Sequence, residues 1–579
     1  MASPGLLATQ GLRIAVEGCG HGTLHSIYAS VAKACELKQW PGVDLLIIGG
    51  DFQAVRSALD LKAVAMPEKY YDMHDFHEYY SGARTAPYLT IFIGGNHEAS
   101  NYMWELYYGG WVAPRIYYMG AANIIRLGPL RIAGLSGIWK GYNYKKPHYE
   151  RLPYNQDDIR SIYHVRELDT RKLLQLRSQV DIGLSHDWPR GMEWKGNHRQ
   201  LFRFKPYFEQ EAKDGTLGSV AATAVLERLR PRYWFSAHMH ARYSAVWEHQ
   251  TTEKAASSAP QEESEPPTAS NSEEIHLGSM DDAPGASLKN EAEIDLDLDD
   301  ETLSEPQPSN AASNPSNKND AEIDLDMSED DAPAATGTSA ATVQTSTEKK
   351  NEVPDEIRRL LPESFAPRTS GENVQRLPFP TEITNTTTHF LALDKCLPNR
   401  HFLQLLEIPP SEPCDIKRPL HLEYDKEWLA ITRVFAKDLQ VGDLQAQVPS
   451  DKGDAYYRPL IEQEMEWVEE NIVKKGKMKI PEDFECTAPV YDASMGIRVD
   501  GQPQEYTNPH TRGFCTLLQI DNPFDATDEE RAQRMQRGPR PESGSSARGG
   551  PGRGGRGGSH RGNRGGRGRG RGGRGRGRW

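Results

Sequence analysis

The chain has 579 residues, 37% of them hydrophobic and 26% charged, with a formal net charge of −14. That apolar content is too low for one core spanning the whole chain, and the deficit is local: residues 12–250 and 379–530 carry regular apolar runs, while the rest is mostly Ser, Pro, Asp, Glu, Gly and Arg. No apolar run reaches the roughly 18 residues of a membrane span, and the six cysteines show no paired spacing, which suits free thiols rather than a disulfide framework.

In chain order, Leu12–Val16 reads as a strand that ends at Gly18-Cys19-Gly20-His21-Gly22, and Leu24–Lys38 as an amphipathic helix. Asp44–Ile48 is a continuous apolar strand ending in Gly49-Gly50-Asp51, and Tyr88–Ile93 is another, ending in Gly94-Gly95-Asn96-His97. Further strands are expected at Ile124–Leu127, Leu130–Leu135, Asp181–Ser185 and Tyr233–Ser236. Apolar strands alternating with helices define an α/β layered domain over 12–250, in which chemistry gathers at the carboxyl ends of strands. The polar residues of this sequence stand at those ends.

Residues 251–378 are acidic and poor in aromatics, so they read as a disordered linker. Within it Ala292-Glu293-Ile294-Asp295-Leu296-Asp297 recurs as Ala321-Glu322-Ile323-Asp324-Leu325-Asp326. The repeat reads either as duplicated solvated linker or as a pair of docking motifs for a protein partner. Order is expected again over 379–530, with strands at His389–Leu393 and Phe402–Ile408 and a helix at Tyr456–Lys475 that has Trp467 on its apolar side. This smaller region holds no catalytic cluster and is expected to pack on or support the first. Residues 531–579 read as a disordered Arg-Gly tail; eleven arginines and no acid lie between Arg548 and Trp579. Glycine keeps such a segment from building a core while arginine offers phosphate contacts and stacking planes, so non-specific RNA contacts are expected of it.

Five motifs end or follow predicted strands: Cys19-x-His21, Gly50-Asp51, Gly95-Asn96-His97-Glu98, Ser185-His186-Asp187 and Ala237-His238-Met239-His240. Each alone is weak, because a lone loop histidine is more often a satisfied polar group than a ligand. Together they put His, Asp, Asn and Cys donor atoms on loops at one end of a sheet. The alternating His238-x-His240 can aim its rings at two different metal ions, and one Asp at a neighbouring strand end can bridge both.

In order and spacing the set resembles the calcineurin-like metallophosphoesterase superfamily, whose pattern is D-x-H, G-D, G-N-H-[DE], H and G-H-x-H. Cys19 stands where that superfamily usually has Asp, and in this the sequence resembles RNA lariat debranching enzymes. The likeness continues in Gly49–Arg56, Gly94–Asn101, Tyr108–Pro114, Arg160–Arg166, Leu184–Pro189 and Phe390–Pro398. It implies a layered metallophosphoesterase sandwich with a smaller C-terminal domain, acting on the 2′–5′ phosphodiester at the branch point of excised intron lariats, in the nucleus. By position, Cys19, His21, Asp51 and His240 would hold one metal; Asn96, His186 and His238 would hold a second, sharing Asp51. His97 would be no ligand but would stabilise or protonate the leaving oxygen, and Glu98 and Asp187 would orient His rings.

The chemistry suits this donor set. Two divalent ions neutralise the phosphate and lower the pKa of water from 15.7 toward about 7, and a general acid at an alkoxide leaving group is worth about 10²–10⁴-fold. Thiolate at Cys19 favours Zn²⁺ or Fe²⁺ over Mg²⁺; the resemblance implies Fe²⁺, Zn²⁺ or Mn²⁺. Substrate contacts are expected where aromatic and basic residues interleave, at Trp139, Tyr142, Tyr144, Lys145, Lys146, His148, Arg151, Tyr154 and His164, since branched RNA needs stacking for bases and charge for phosphates. Two other functions fit less of the sequence: a metallophosphoesterase with another phosphoester substrate, and a non-catalytic RNA-binding protein.

Overall fold

A computed structural model describes residues 11–250, 377–411 and 414–542. The expected acidic linker from 251 to 376 and the Arg-Gly residues from 543 onward lie outside the described residues. Among the described residues no helix is long and apolar enough to cross a membrane.

The strands are β1 (Leu12–Glu17), β2 (Leu45–Ile48), β3 (Thr90–Phe92), β4 (Gly110–Ala113), β5 (Ile116–Tyr118), β6 (Ala122–Leu127), β7 (Leu130–Leu135), β8 (Ile182–Ser185), β9 (Tyr233–Ser236), β10 (Tyr243–Glu248), β11 (Thr387–Ala392), β12 (Leu403–Ile408) and β13 (Leu422–Tyr424). They form two sheets, β12-β1-β2-β3-β5-β4 and β10-β11-β9-β8-β7-β6-β13. In the first, β1, β2 and β3 run parallel; in the second, β7, β8, β9 and β11 do. Parallel strands covered on both faces read as unbroken apolar runs, and β2 (Leu45-Leu46-Ile47-Ile48) is buried throughout.

One core lies between the sheets: Leu12, Ile14, Val16, Leu45, Ile47 and Ile91 of the first meet Ile124, Ile132, Ile182 and Trp234 of the second. The opposite face of the first sheet, Ala15, Leu46, Ile48 and Phe92, is covered by Ile27 and Val31 of the helix Leu24–Leu37. The predicted strands all form, within two residues at each end. The sequence reading missed β4, β5, β10 and β13. Two of these have three residues, and β10 alternates buried with exposed side chains at the sheet edge.

The C-terminal region does more than support a finished sandwich. β12 pairs antiparallel with β1, β11 lies between β9 and β10, and β13 closes the far edge against β6. Both sheets are completed by residues beyond 386. The long acidic segment therefore joins two adjacent antiparallel strands, Glu248 of β10 being paired with Thr387 of β11. Closing a loop costs free energy only as the logarithm of its length, so the fold tolerates an insert of that size there. The expected boundary at 531 shifts: the helix Asp528–Arg537 crosses it, begun by a Thr527–Glu530 capping box and ended at Gly538 with φ 75°.

Candidate active site

Four parallel strands, β2 and β3 from one sheet and β8 and β9 from the other, together with β1, deliver the five motifs to one rim. The loops are strained in a shared way. His21 (φ 41°), Asp51 (47°), His238 (60°) and His240 (45°) all take the left-handed backbone that non-glycine residues avoid, and such conformations persist where packing over-determines them, commonly at functional sites. Two glycines make room. A Cβ on Gly50 would lie 2.2 Å from Nδ1 of His186, and one on Gly95 would lie 2.2 Å from Oδ1 of Asp51.

Donor atoms of Cys19, His21, Asp51 and His240 all lie within 4.8 Å of one another. Nε2 of His21 faces Nε2 of His240 at 3.4 Å and Oδ2 of Asp51 at 3.8 Å, while the Gln53 amide lies 3.2 Å from its Nδ1. On the other side of Asp51, Oδ1 is 3.5 Å from Nε2 of His186. That Nε2 lies 3.3 Å from Oδ1 of Asn96, and the His186 and His238 rings are 5.0 Å apart. Nδ1 of His186 donates to the Gly49 carbonyl at 2.8 Å, which turns its Nε2 toward Asp51 and Asn96. Asp51 thus turns one oxygen to each of two donor clusters.

Burial lowers the pKa of His21 to about 4, of His238 to about 3 and of His240 to about 2, so at neutral pH these rings present lone pairs. Burial, with Asp51 and Glu17 nearby, pushes the Cys19 thiol up. Burial works in the same sense on Asp51, but His186, His97 and His21 outweigh it and hold the carboxyl well below its ordinary range. Facing lone pairs, a buried carboxylate and a soft sulfur make a set of electron-pair donors with too few protons between them. A divalent cation is what such a set fits.

His97 stands beside this cluster. Its backbone N–H donates to Asp51 Oδ1 at 2.8 Å, and its ring Nδ1 donates to the Ala65 carbonyl at 3.0 Å. The ring lies 5.9 Å from that of His21, and its Nε2 has no hydrogen-bond partner among the described residues. Glu98 and Asp187 do not orient His rings as expected. Glu98 accepts the N–H groups of Phe52, Gln53 and Gly95, each at 2.9 Å, which staples the β2 loop to the β3 loop. Asp187 accepts the Trp139 N–H at 3.1 Å and ties the next segment to the site.

That segment divides the expected substrate residues into two groups. Tyr142 is 70% exposed, Lys145 is exposed, and Trp139, Tyr144 and Lys146 are half-buried. Of these, Trp139 bonds Asp187 and packs 4.8 Å from the Tyr144 ring, and Lys146 lies 5.8 Å over the Tyr142 ring. His148, Tyr154 and His164 are buried, Arg151 is partly buried, and their partners lie within the protein. His148 bonds Asp169 at 2.7 Å, Arg151 grips Glu505 through two contacts of 2.9 Å, His164 meets the Asn143 amide at 2.8 Å, and the Tyr154 ring is buried. A base cannot stack on a covered ring, so the expectation for these four is revised. Burial, with Arg166, Lys140 and Lys146 nearby, depresses His164 to about 2.

Sequence reasoning missed the Ala65 carbonyl, Gln53 and the partner of this segment at the far end of the chain. Arg534 joins Arg151 on Glu505 at 2.8 Å, Arg540 pairs with Asp158 and lies 4.9 Å over the Tyr149 ring, and Asn155 Nδ2 donates to the Arg540 carbonyl at 3.0 Å. The capping box at Thr527 was the one local signal of that helix.

Sheets, loop positions and donor set define a calcineurin-like phosphoesterase, and the family model of that description matches residues 12–242. A second model, the lariat debranching enzyme C-terminal domain, matches residues 385–523. The lariat debranching enzyme of Schizosaccharomyces pombe is 37% identical over 88% of this chain and 96% of its own length. That of Homo sapiens is 36% identical over 88% of this chain and 69% of its own, and that of Arabidopsis thaliana 34% over 89% and 88%. The chain belongs to the lariat debranching enzymes. The family of its catalytic half implies divalent metal ions.

Proposed function

We propose that this protein hydrolyses the 2′–5′ phosphodiester at the branch point of excised intron lariat RNA and so linearises it for turnover. The reading rests above all on Asp51, set between the Cys19–His21–His240 cluster and His186–Asn96 with one oxygen toward each. Cys19, His21, Asp51 and His240 would hold one divalent ion, and Asn96, His186 and His238 a second that shares Asp51. When bound, the ions withdraw charge from the phosphate and lower the pKa of water. The chain's own groups do the rest. Asp51 is aimed by the His97 N–H. The Ala65 carbonyl fixes the His97 ring by holding its Nδ1–H, leaving Nε2 as the ring's free position toward the leaving 2′-oxygen. Trp139, Tyr142, Tyr144, Lys145 and Lys146 receive bases and phosphates beside Asp187.

Cys19 supports Fe²⁺ or Zn²⁺ over harder ions, with Mn²⁺ as the further member. Intron turnover places the protein in the nucleus, the Arg-Gly segment adds non-specific RNA contacts, and the acidic repeats offer a site for a protein partner. The test is a comparison of a synthetic branched RNA, its linear 3′–5′ isomer and p-nitrophenyl phosphate, with the protein purified anaerobically and its metal content measured. Cleavage confined to the branch supports the reading; turnover of the monoester without branch cleavage overturns it.

A further inference from the structure

The crossover from β8 to β9 leaves the sheet at His186-Asp187, on the rim that carries the site. Before returning through the helix Val220–Leu229 it makes an excursion of a short turn, Met192–Lys195, and two helices, His198–Phe204 and Tyr207–Lys213. The excursion is anchored by buried Met192, Leu201, Phe202 and Ala212, so its outer face is a formed surface. On that face Trp194 is 43%, Phe204 59% and Tyr207 84% exposed. Single exposed apolar residues are ordinary; three large rings so close in one stretch are not.

The charges on the same stretch are of one sign. From Trp194 to Phe208 there are Lys195, Arg199, Arg203 and Lys205 and no acid. Arg199 and Arg203 are exposed, stand four residues apart on one helix face, and form no ion pair among the described residues. The excursion also borders the site at two points. Lys205 is within electrostatic reach of Asp394, whose carbonyl accepts the Cys19 N–H. Lys140, next to Trp139, is within reach of Glu211 on the second helix and of both Asp187 and His238.

We infer that residues 194–208 form a second RNA-binding wall, on which Phe204 and Tyr207 stack unpaired bases of a lariat arm while Arg199 and Arg203 take its phosphates. Exposed rings beside unpaired guanidinium groups are what a flexible, unpaired strand needs, since every base has a stacking face and every step a phosphate. The inference rests on the proposed function, because it assigns this surface to the substrate of the same site. It sets apart a surface that grips an arm from the Trp139–Lys146 segment beside the branch.

The test uses the full-length, metal-loaded protein and two branched RNAs, one with single-nucleotide arms and one with long unpaired arms. Phe204→Ala/Tyr207→Ala is expected to raise KM for the long-armed RNA by roughly 30-fold or more, at least about 5-fold for each of two stacked bases, with kcat retained. Arg199→Gln/Arg203→Gln is expected to reduce the salt dependence of binding by about 1.4 units, roughly 0.7 for each phosphate lost. All four positions are exposed, so the fold tolerates the changes. If the wild type cleaves neither RNA, the proposed function fails. If it cleaves both and the variants match it on long arms, the second wall is overturned and the surface belongs to something other than substrate.

Discussion

His97→Ala separates the chemistry of the site from its metal content. The backbone N–H of residue 97 bonds Asp51 Oδ1 at 2.8 Å, and that contact survives any change of side chain except proline, so Asp51 stays aimed and the donor set intact. The lost ring bond to the Ala65 carbonyl costs about 1 kcal/mol, and the small cavity left behind about 1–2 kcal/mol. Against a typical stability of about 5–15 kcal/mol, the variant folds. Loss of a group that protonates or stabilises a leaving alkoxide removes about 10²–10⁴-fold in rate, or about 2.7–5.4 kcal/mol at 1.36 kcal/mol per decade. Single-turnover cleavage of a saturating branched RNA gives the rate, and plasma mass spectrometry of the same preparation gives the metal. Asp51→Ala is the comparison, expected to lose both. A His97→Ala protein as metal-poor as Asp51→Ala would make His97 a ligand and refute the assignment; a rate close to wild type would remove it from the reaction.

Cys19→Asp is expected to move metal preference from Fe²⁺ or Zn²⁺ toward Mn²⁺ or Mg²⁺, since a hard oxygen replaces a soft sulfur; an unchanged activation profile across the four ions means that Cys19 does not touch the metal. Removal of residues 543–579, which spares the Arg540 contact to Asp158, is expected to leave cleavage of a short branched RNA intact and to lower the salt slope on long RNA by roughly 2–4 units, a forecast that a large fall in short-substrate turnover defeats. Glu505→Gln leaves Arg151 and Arg534 without their shared carboxylate; with both arginines partly solvated the expected loss in urea denaturation is about 2 kcal/mol, below the roughly 3–5 of a fully buried pair. His164 is held neutral, its pKa about 2 against an ordinary value of 6.5. Its unfolded form takes up the proton first, so its contribution is complete above pH 6.5 and is lost as pH falls toward the folded value. Between pH 6.5 and 4.5 that amounts to at most about 2.7 kcal/mol. His164→Gln should flatten the stability curve in that window by a comparable amount, as read by denaturation at fixed pH.

The rim that gathers the five motifs was legible in the sequence because its signals are local. An apolar strand such as Leu45–Ile48 that stops at Gly49-Gly50-Asp51 shows both the element and the end at which a polar residue is displayed, and five such endings in order define a donor set. The same local logic located seven of the ten strands in the first half and two of the three supplied from beyond residue 386. What it could not reach were pairings set by distance along the chain. That β11 inserts between β9 and β10, and that Arg540 closes on Asp158 across 382 residues, follow from which surfaces remain to be covered once the sheets meet, and no window of sequence contains both partners.

The segment expected to meet substrate shows the same division within one loop. Composition marked Trp139 through His164 as aromatic and basic, which is a property of residue types. Whether a given ring or charge faces water was decided by its neighbours: Glu505 arrives from the C-terminal region to take Arg151, Asp169 takes His148, and Tyr154 is covered, while Tyr142 and Lys145 are left outside. The exposed rings at Phe204 and Tyr207 went unremarked for the converse reason, because in the sequence they look like core. The sequence by itself determined most of the strands, the candidate donor atoms and the class of chemistry, since these depend on residue type and short-range periodicity. Only the tertiary structure decided which side chains are buried in pairs and which remain free to meet a ligand, because burial is a property of the surfaces that meet and not of the residues that form them.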